Sequence, residues 1–436
     1  MTDKNEKGEG AAAAESNPEN EFTLSLTKYN DAAAIAHRVL AKVCKLAIEG
    51  DGKTILSLCE EGDKLLDEEC SKVYKGKKIS KGRIFILCGF SLRDGSSGNS
   101  SLHSMSESSL LIFRFFTGIA FPTTVSPNDI LTPYTPLATD PGENEIAIKK
   151  GDVLKIQLGA QLDGYPAIVG DTIIVGQDAE LTDDQKNLLQ ATHYCNEALL
   201  RLLLPSDIHP LSTPEKPYKQ PSAYEITQIL NKIAATYDCT IVESTTSFNF
   251  LQNEIEGKKR LVIHPGEGMP KSEGTPEVGD IWGVELALSK GSGKLKDIPG
   301  KRPTLHKKTD TKVGLKRQTS KTTFTEVNKK FGNFPFGLRQ LEDERTAKMG
   351  IVECVRSNVI RQFEILGEKD GSITSRLFTT IAITKTGINK ITAPSEPDLE
   401  KLKTDKVIEN TEILDLLKLP LNKPKKKKKP AAKKEE

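Results

Sequence analysis

Strand-like and helix-like stretches arrive in blocks along this chain, and that block order restricts its architecture more than any single motif. Two stretches with Ala, Ile, Val and Leu at helical spacing, Tyr29 to Glu49 and Thr54 to Val73, are separated by the breaker Gly50-Asp51-Gly52. Strand patterns follow: GIAFPTTVSPND from Gly118, GDVLKIQLGAQL from Gly151 and AIVGDTIIVG from Ala167. A second helix pair is predicted over Asp183 to Leu203 and Ser222 to Tyr237, the latter capped by Ser222 with Glu225 in the reciprocal position. Strands return at KRLVIHP, DIWGVELALS and SRLFTTIAIT, with a helical stretch from Leu338 to Val359 before the last. Helix pair, strands, helix pair, strands, helical insertion and strand is the order of an α+β domain with helices packed on an antiparallel sheet.

Composition narrows the setting. No apolar run reaches the ~18 residues of a membrane span, and the opening MTDKNEKGEG lacks the hydrophobic segment of a secretory signal. The expected chain is therefore soluble and intracellular. Its seven cysteines are scattered and never spaced C-x-x-C, and its six histidines form no H-x-x-x-H pair. A zinc site and a disulfide framework are both disfavoured, leaving the thiols as small buried apolar groups. Residues 1 to 21 hold almost nothing apolar and read as a disordered tail. Residues 82 to 117 place two apolar patches around a Ser- and Gly-rich middle, the pattern of an irregular insertion or of a gene-model artefact.

Net charge is only +2 but unevenly spread. Between Lys290 and Lys321 lie Lys294, Lys296, Lys301, Arg302, Lys307, Lys308, Lys312, Lys316 and Arg317, with Asp297 and Asp310 as the only acids. Such cations reach phosphate oxygens without reading sequence, so an RNA-binding segment is favoured over a merely solvated loop. The tail around Lys425, Lys426, Lys427, Lys428 and Lys429 is too self-repelling to fold alone. It suits a nuclear or nucleolar localisation signal, a nonspecific RNA arm or a solubilising extension. Just before it, EILDLLKL is a short amphipathic helix expected to dock on its own core.

The blocks GIAFPTTVSPND, KKGDVLKIQLGAQLDGYPA, EVGDIWGVELALSKGSGKLKD, FGNFPFGLRQLEDERTAKMGIVEC and ITAPSEPDL, in that order, closely resemble the proliferation-associated proteins. That family, which includes the ErbB-receptor-binding and fungal curved-DNA-binding proteins, consists of non-catalytic relatives of type 2 methionine aminopeptidase. The resemblance runs from about Phe22 to Leu419, residues 82 to 117 excepted. It implies the pita-bread (creatinase/aminopeptidase) fold over residues 22 to 399. A basic loop and helical insert would occupy about 290 to 365, and a short helix with the Lys-rich tail 400 to 436. It also aligns EILDLLKL with the family's L-x-x-L-L co-regulator motif, with Ile413 in place of the first Leu.

The related enzyme holds two metal ions with two Asp, one His and two Glu. At those positions this chain has Gln157, Ile168, Phe248, Glu285 and Phe378, and Pro133 stands where the enzyme's substrate-contacting His is expected. One carboxylate and one amide cannot hold a dinuclear pair. No catalytic residue, metal or cofactor is therefore expected, and the cleft is expected to be filled by apolar packing. Glu285 should survive as a solvated or base-paired acid. What the resemblance implies in place of catalysis is an RNA-binding monomer on ribosomal RNA and the large ribosomal subunit, in the cytoplasm and the nucleus or nucleolus. A DNA-binding transcriptional co-regulator and a residual metal-dependent aminopeptidase are the alternatives.

Overall fold

The structure is a computed structural model that describes residues 18–50, 52–73, 117–176, 179–268 and 270–423. Its first unit is a helical hairpin, α1 (Pro18–Ile48) and α2 (Ile55–Lys72), followed by β1 (Thr117–Pro127), β2 (Val153–Leu162) and β3 (Tyr165–Ile174). The second repeats the plan with α3 (Asp183–Leu202), α4 (Ala223–Thr236), β4 (Thr240–Ile241), β5 (Thr245–Phe250), β6 (Arg260–Ile263) and β7 (Ile281–Ser289). After β8 (Leu295–Asp297) comes an insert of β9 (Leu305–Lys308), α5 (Gln318–Lys330), β10 (Phe336–Gly337), α6 (Glu344–Arg356) and β11 (Ile360–Gln362). The chain closes with β12 (Leu366–Glu368), β13 (Thr374–Thr384), β14 (Gly387–Lys390) and α7 (Thr411–Lys418).

Local chemistry explains the helix starts. Thr54 accepts from Ser57 N at the head of α2, and full capping boxes, Thr182 with Gln185 and Ser222 with Glu225, open α3 and α4. Each satisfies backbone donors that would otherwise be orphaned. The predicted helices and strands therefore stand close to where the sequence puts them, with three differences. α1 begins at Pro18, inside the stretch read as tail. Residues 318–330, which begin inside the basic segment, form α5. The stretch from Leu338 opens as a short 3-10 turn, Leu338–Gln340, and α6 starts only after Asp343, whose carboxylate caps it. Residues 82–116, the first 17 residues and the tail lysines 425–429 lie outside the described residues, while Thr117 belongs to β1.

The main sheet runs β1-β2-β3-β13-β7-β5-β6, with β14 on β13 and β4 on β7, all antiparallel. The first hairpin packs on β1–β3 in one apolar core, and the second packs on β7, β13 and β14 in another. Ile413 of α7 is buried in that second core with Leu416 and Leu417 beside it, so EILDLLKL docks on its own chain. This is the pita-bread arrangement. The register of β1 against β2 shifts on either side of Phe121, next to Pro122, which has no N–H for the ladder.

The insert has its own small core of Val327, Phe331, Phe336, Ile351, Cys354 and Ile360, over the three-stranded sheet β10-β9-β11. One buried ion pair ties it to the first hairpin. Arg339 Nη2 donates to Asp63 Oδ2 at 2.5 Å and to the Thr123 carbonyl at 3.0 Å, and Thr123 N donates to Asp63 Oδ1 at 2.7 Å. Burial raises the Asp63 carboxyl above its ordinary range, against the opposing pull of Arg339.

Candidate functional site

Strand register assembles the five sequence positions into one place. Gln157 on β2 pairs with Gly170 on β3, Gly170 with Phe378 on β13, and Phe378 with Glu285 on β7. Residues directly opposed in antiparallel strands share a face, so this row carries three of the positions across four strands. Ile168 sits two residues from Gly170, and Phe248 pairs with Gly283, two residues from Glu285. All five, with Pro133, line one cavity of about 340 Å³. The cleft is therefore not filled by apolar packing.

Its walls are phenylalanines, and two glycines make room for them. A Cβ on Gly283 would lie 2.4 Å from the Phe250 ring and 2.7 Å from that of Phe378; a Cβ on Gly170 would lie 2.9 Å from the Phe378 Cβ. The Phe250 and Phe378 rings stack with centroids 6.3 Å apart, and Phe121, Phe248 and Phe363 complete the walls.

Among the polar lining groups, which also include Thr132, Ser244, Thr246, Glu256 and Arg361, an ion pair and an amide stand at the five positions. Glu285 Oε1 accepts from Arg376 Nε at 2.8 Å, the base-paired state the sequence leaves open for this acid. Gln157 is 4% exposed and its Oε1 has no partner among the described residues. The group expected from the parent enzyme, a pair of divalent metal ions, does not fit this donor set. Of the five positions only Glu285 and Gln157 offer oxygen, and a guanidinium already bonds the carboxylate. An adjacent fixed cation repels a metal ion where the enzyme concentrates anionic oxygen. Among the described residues no cluster of three or more His, Cys, Asp or Glu side chains is placed for a metal.

On the same strand as Gln157, Lys155 is 3% exposed and donates from Nζ to the Asn128 carbonyl at 2.5 Å. Burial pulls its ammonium down to about 7; Asp129 opposes this, and the charge of Arg376 adds to it.

The mouth of the cavity meets the insert. Lys307 Nζ on β9 is 2.8 Å from Glu254 and 3.6 Å from Glu256. Its register partner Arg361 on β11 also pairs with Glu256 and lies 4.4 Å over the Phe363 ring. Lys307 is only 6% exposed.

That burial corrects part of the basic-segment reading. Lys307, together with Lys290, held by Asp184 at 3.0 Å, and Lys301, held by Glu143 at 2.9 Å, is a structural cation with its charge matched inside the fold. Lys294, Lys296, Arg302, Lys312, Lys316, Arg317 and Lys321 are exposed and Lys308 is half-buried. Lys312, Lys316, Arg317 and Lys321 flank the start of α5, where Glu353 accepts from Lys316 N at 2.8 Å and Arg317 N at 3.0 Å. Those bonds hold the Glu353 carboxyl below its ordinary range.

Arg376, Arg339 and the acids Glu254 and Glu256 are the functional and structural charges that the sequence reading passes over. Only the isolated Arg at the head of the apolar run SRLFTTIAIT hints at the first of them.

Residues 27–210 match the family model of metallopeptidase family M24. The chain is 32% identical over 419 residues to a curved DNA-binding protein of Schizosaccharomyces pombe, covering 95% of this chain and 93% of that one. It is 30% identical to an ErbB-3-binding protein 1 of Solanum tuberosum, over 87% of this chain and 84% of the relative. Among solved structures, a thermophilic Arx1 superposes with a TM-score of 0.80 at 47% identity, covering 92% of this chain and 99% of that one. With its register-built cleft and near full-length similarity, the chain belongs to the family of the curved DNA-binding, ErbB-3-binding and proliferation-associated proteins, on the pita-bread fold of the M24 metallopeptidases.

Proposed function

We propose that this protein is a non-catalytic, RNA-binding factor that works as a monomer on the large ribosomal subunit, in ribosome biogenesis or translation and growth control, in the cytoplasm and the nucleus or nucleolus. The observation that carries the first part is the Glu285–Arg376 bond, which spends the cleft's remaining ligand carboxylate on a guanidinium. Support for RNA comes from the exposed cations of residues 294–321, which offer phosphate contacts without base readout. The ribosome enters through the family resemblance.

Co-sedimentation with large ribosomal subunits, measured across a salt series, tests the reading. Binding should weaken steeply with salt, because each phosphate contact releases counterions. Joint charge reversal at Lys308, Lys312, Lys316 and Arg317 should abolish it, and unchanged binding sinks the assignment. The name of the Schizosaccharomyces pombe relative supports a second reading, a DNA-binding transcriptional co-regulator. Curved duplex DNA that displaces ribosomal RNA at matched salt would favour it.

A further inference from the structure

The insert carries an apolar groove that neither the degenerate cleft nor the phosphate-facing cations explain. It lies between α6, the start of α5 and the sheet of β9 and β11, with a volume of about 670 Å³. Met349 and Val352 on α6 line it although they are 56% and 50% exposed, and Val355 continues the same stripe. Apolar side chains at i, i+3 and i+6 on an exposed helix face are a surface kept for a partner more often than a random scatter. Met adds a flexible, polarisable contact that adapts to different apolar side chains.

The charges around the groove select the partner. Arg302 and Arg317 are exposed on its rim, Lys348 is engaged by Asp140, and none of the lining residues is a carboxylate. Glu353 accepts from the backbone N–H groups of Lys316 and Arg317 at the head of α5 and also attracts the Arg317 charge, but it does not line the groove. A polynucleotide would want flat rings to stack its bases, yet the lining has no Phe, Tyr or Trp, and the ring of His306 is 1% exposed.

We infer that this groove docks a segment of a partner protein whose apolar side chains are flanked by Asp or Glu, laid in as an amphipathic helix. The apolar anchors rest on Met349, Val352 and Val355, and the flanking carboxylates meet Arg302 and Arg317. The site goes beyond the RNA reading and shares Arg302 and Arg317 with it, so the apolar Met349 and Val352, which the RNA reading does not use, tell the two apart.

Fluorescence anisotropy of the full chain with labelled peptides of about 15 residues tests this. The peptides share one Leu and Phe anchor pattern and differ only in Glu, Gln or Lys flanks. The Glu-flanked peptide should bind roughly tenfold tighter than the Lys-flanked one, and joint Arg302→Glu and Arg317→Glu should reverse that order. Met349→Asp and Val352→Asp should each weaken the Glu-flanked peptide about tenfold. Both positions are exposed, so circular dichroism should show an unchanged fold, and affinity for a ribosomal RNA fragment should be unaffected.

Equal affinity for all three peptides overturns the proposal. So does a loss of RNA affinity in Met349→Asp that matches the loss of peptide, which would give the groove to RNA. A concentration-dependent dimer abolished by Met349→Asp would give it to a second copy, with the same consequence.

Discussion

Arg376 Nε bonds Glu285 Oε1 at 2.8 Å from a position two residues along β13 from Phe378, the register partner of Glu285. A cation thus neutralises the one carboxylate among the five positions, while Phe378 offers no oxygen beside it. Titration with Mn²⁺ or Co²⁺ should give no saturable heat. Glu285→Gln should cost about 1–3 kcal/mol by leaving a largely buried guanidinium without its counter-charge. The double variant Glu285→Gln with Arg376→Met should cost less than the two single changes together. Equilibrium denaturation measures all three; additive losses would mean the two side chains do not interact.

Arg339 and Asp63 join the insert to the first helical hairpin, with side chains 6% and 11% exposed. Removing one member of such a pair strands the other, so Arg339→Met should destabilise by about 3–5 kcal/mol. Replacing both by apolar groups of similar volume should recover much of that. Limited proteolysis within residues 303–362 distinguishes undocking of the insert from global loosening, since only the former leaves the sheet protected.

Lys155 predicts a pH dependence with a definite sign. Its folded value of about 7 lies below the ordinary 10.5, so between those values the unfolded chain binds a proton the folded one does not. Stability from this group therefore rises with pH across that window, while below it both states are charged and the burial penalty is complete. Lys155→Met should be more stable than the parent by about 1–3 kcal/mol near neutral pH. The advantage should shrink as the pH approaches about 10. Thermal melts of both proteins along that series decide it, and a pH-independent difference excludes the mechanism.

Lys307 and Lys312 should respond oppositely to substitution although both belong to the basic segment. Lys307→Ala removes the partner shared by Glu254 and Glu256 and should lower stability by about 1–3 kcal/mol. Lys312 is exposed, so Lys312→Ala should leave the melting temperature unchanged and reduce the salt slope of RNA binding by about one contact. Paired melting and salt-titration curves separate the two roles.

Much of this protein is determined by the sequence alone because the physics involved is local. Hydrophobic period and the capping residues Thr54, Thr182 and Ser222 place the helices. That Gln157, Ile168, Phe248 and Phe378 offer no carboxylate or imidazole is a matter of residue identity. The head of α5 is harder to read: Arg317 makes no side-chain cap, and Glu353, distant in sequence, supplies the acceptor instead.

Tertiary structure alone decides which charges are available. Glu285 finds Arg376 across 91 residues of chain, and Lys301 finds Glu143 across 158. A string of lysines looks uniform in sequence, but burial makes an unpaired charge so costly that Lys290, Lys301 and Lys307 take distant acids as partners, while their neighbours stay in water. The persistence of the cleft is settled the same way. Gly170 and Gly283 leave room for the rings of Phe250 and Phe378 to line a cavity, and only the strand register brings those four residues together.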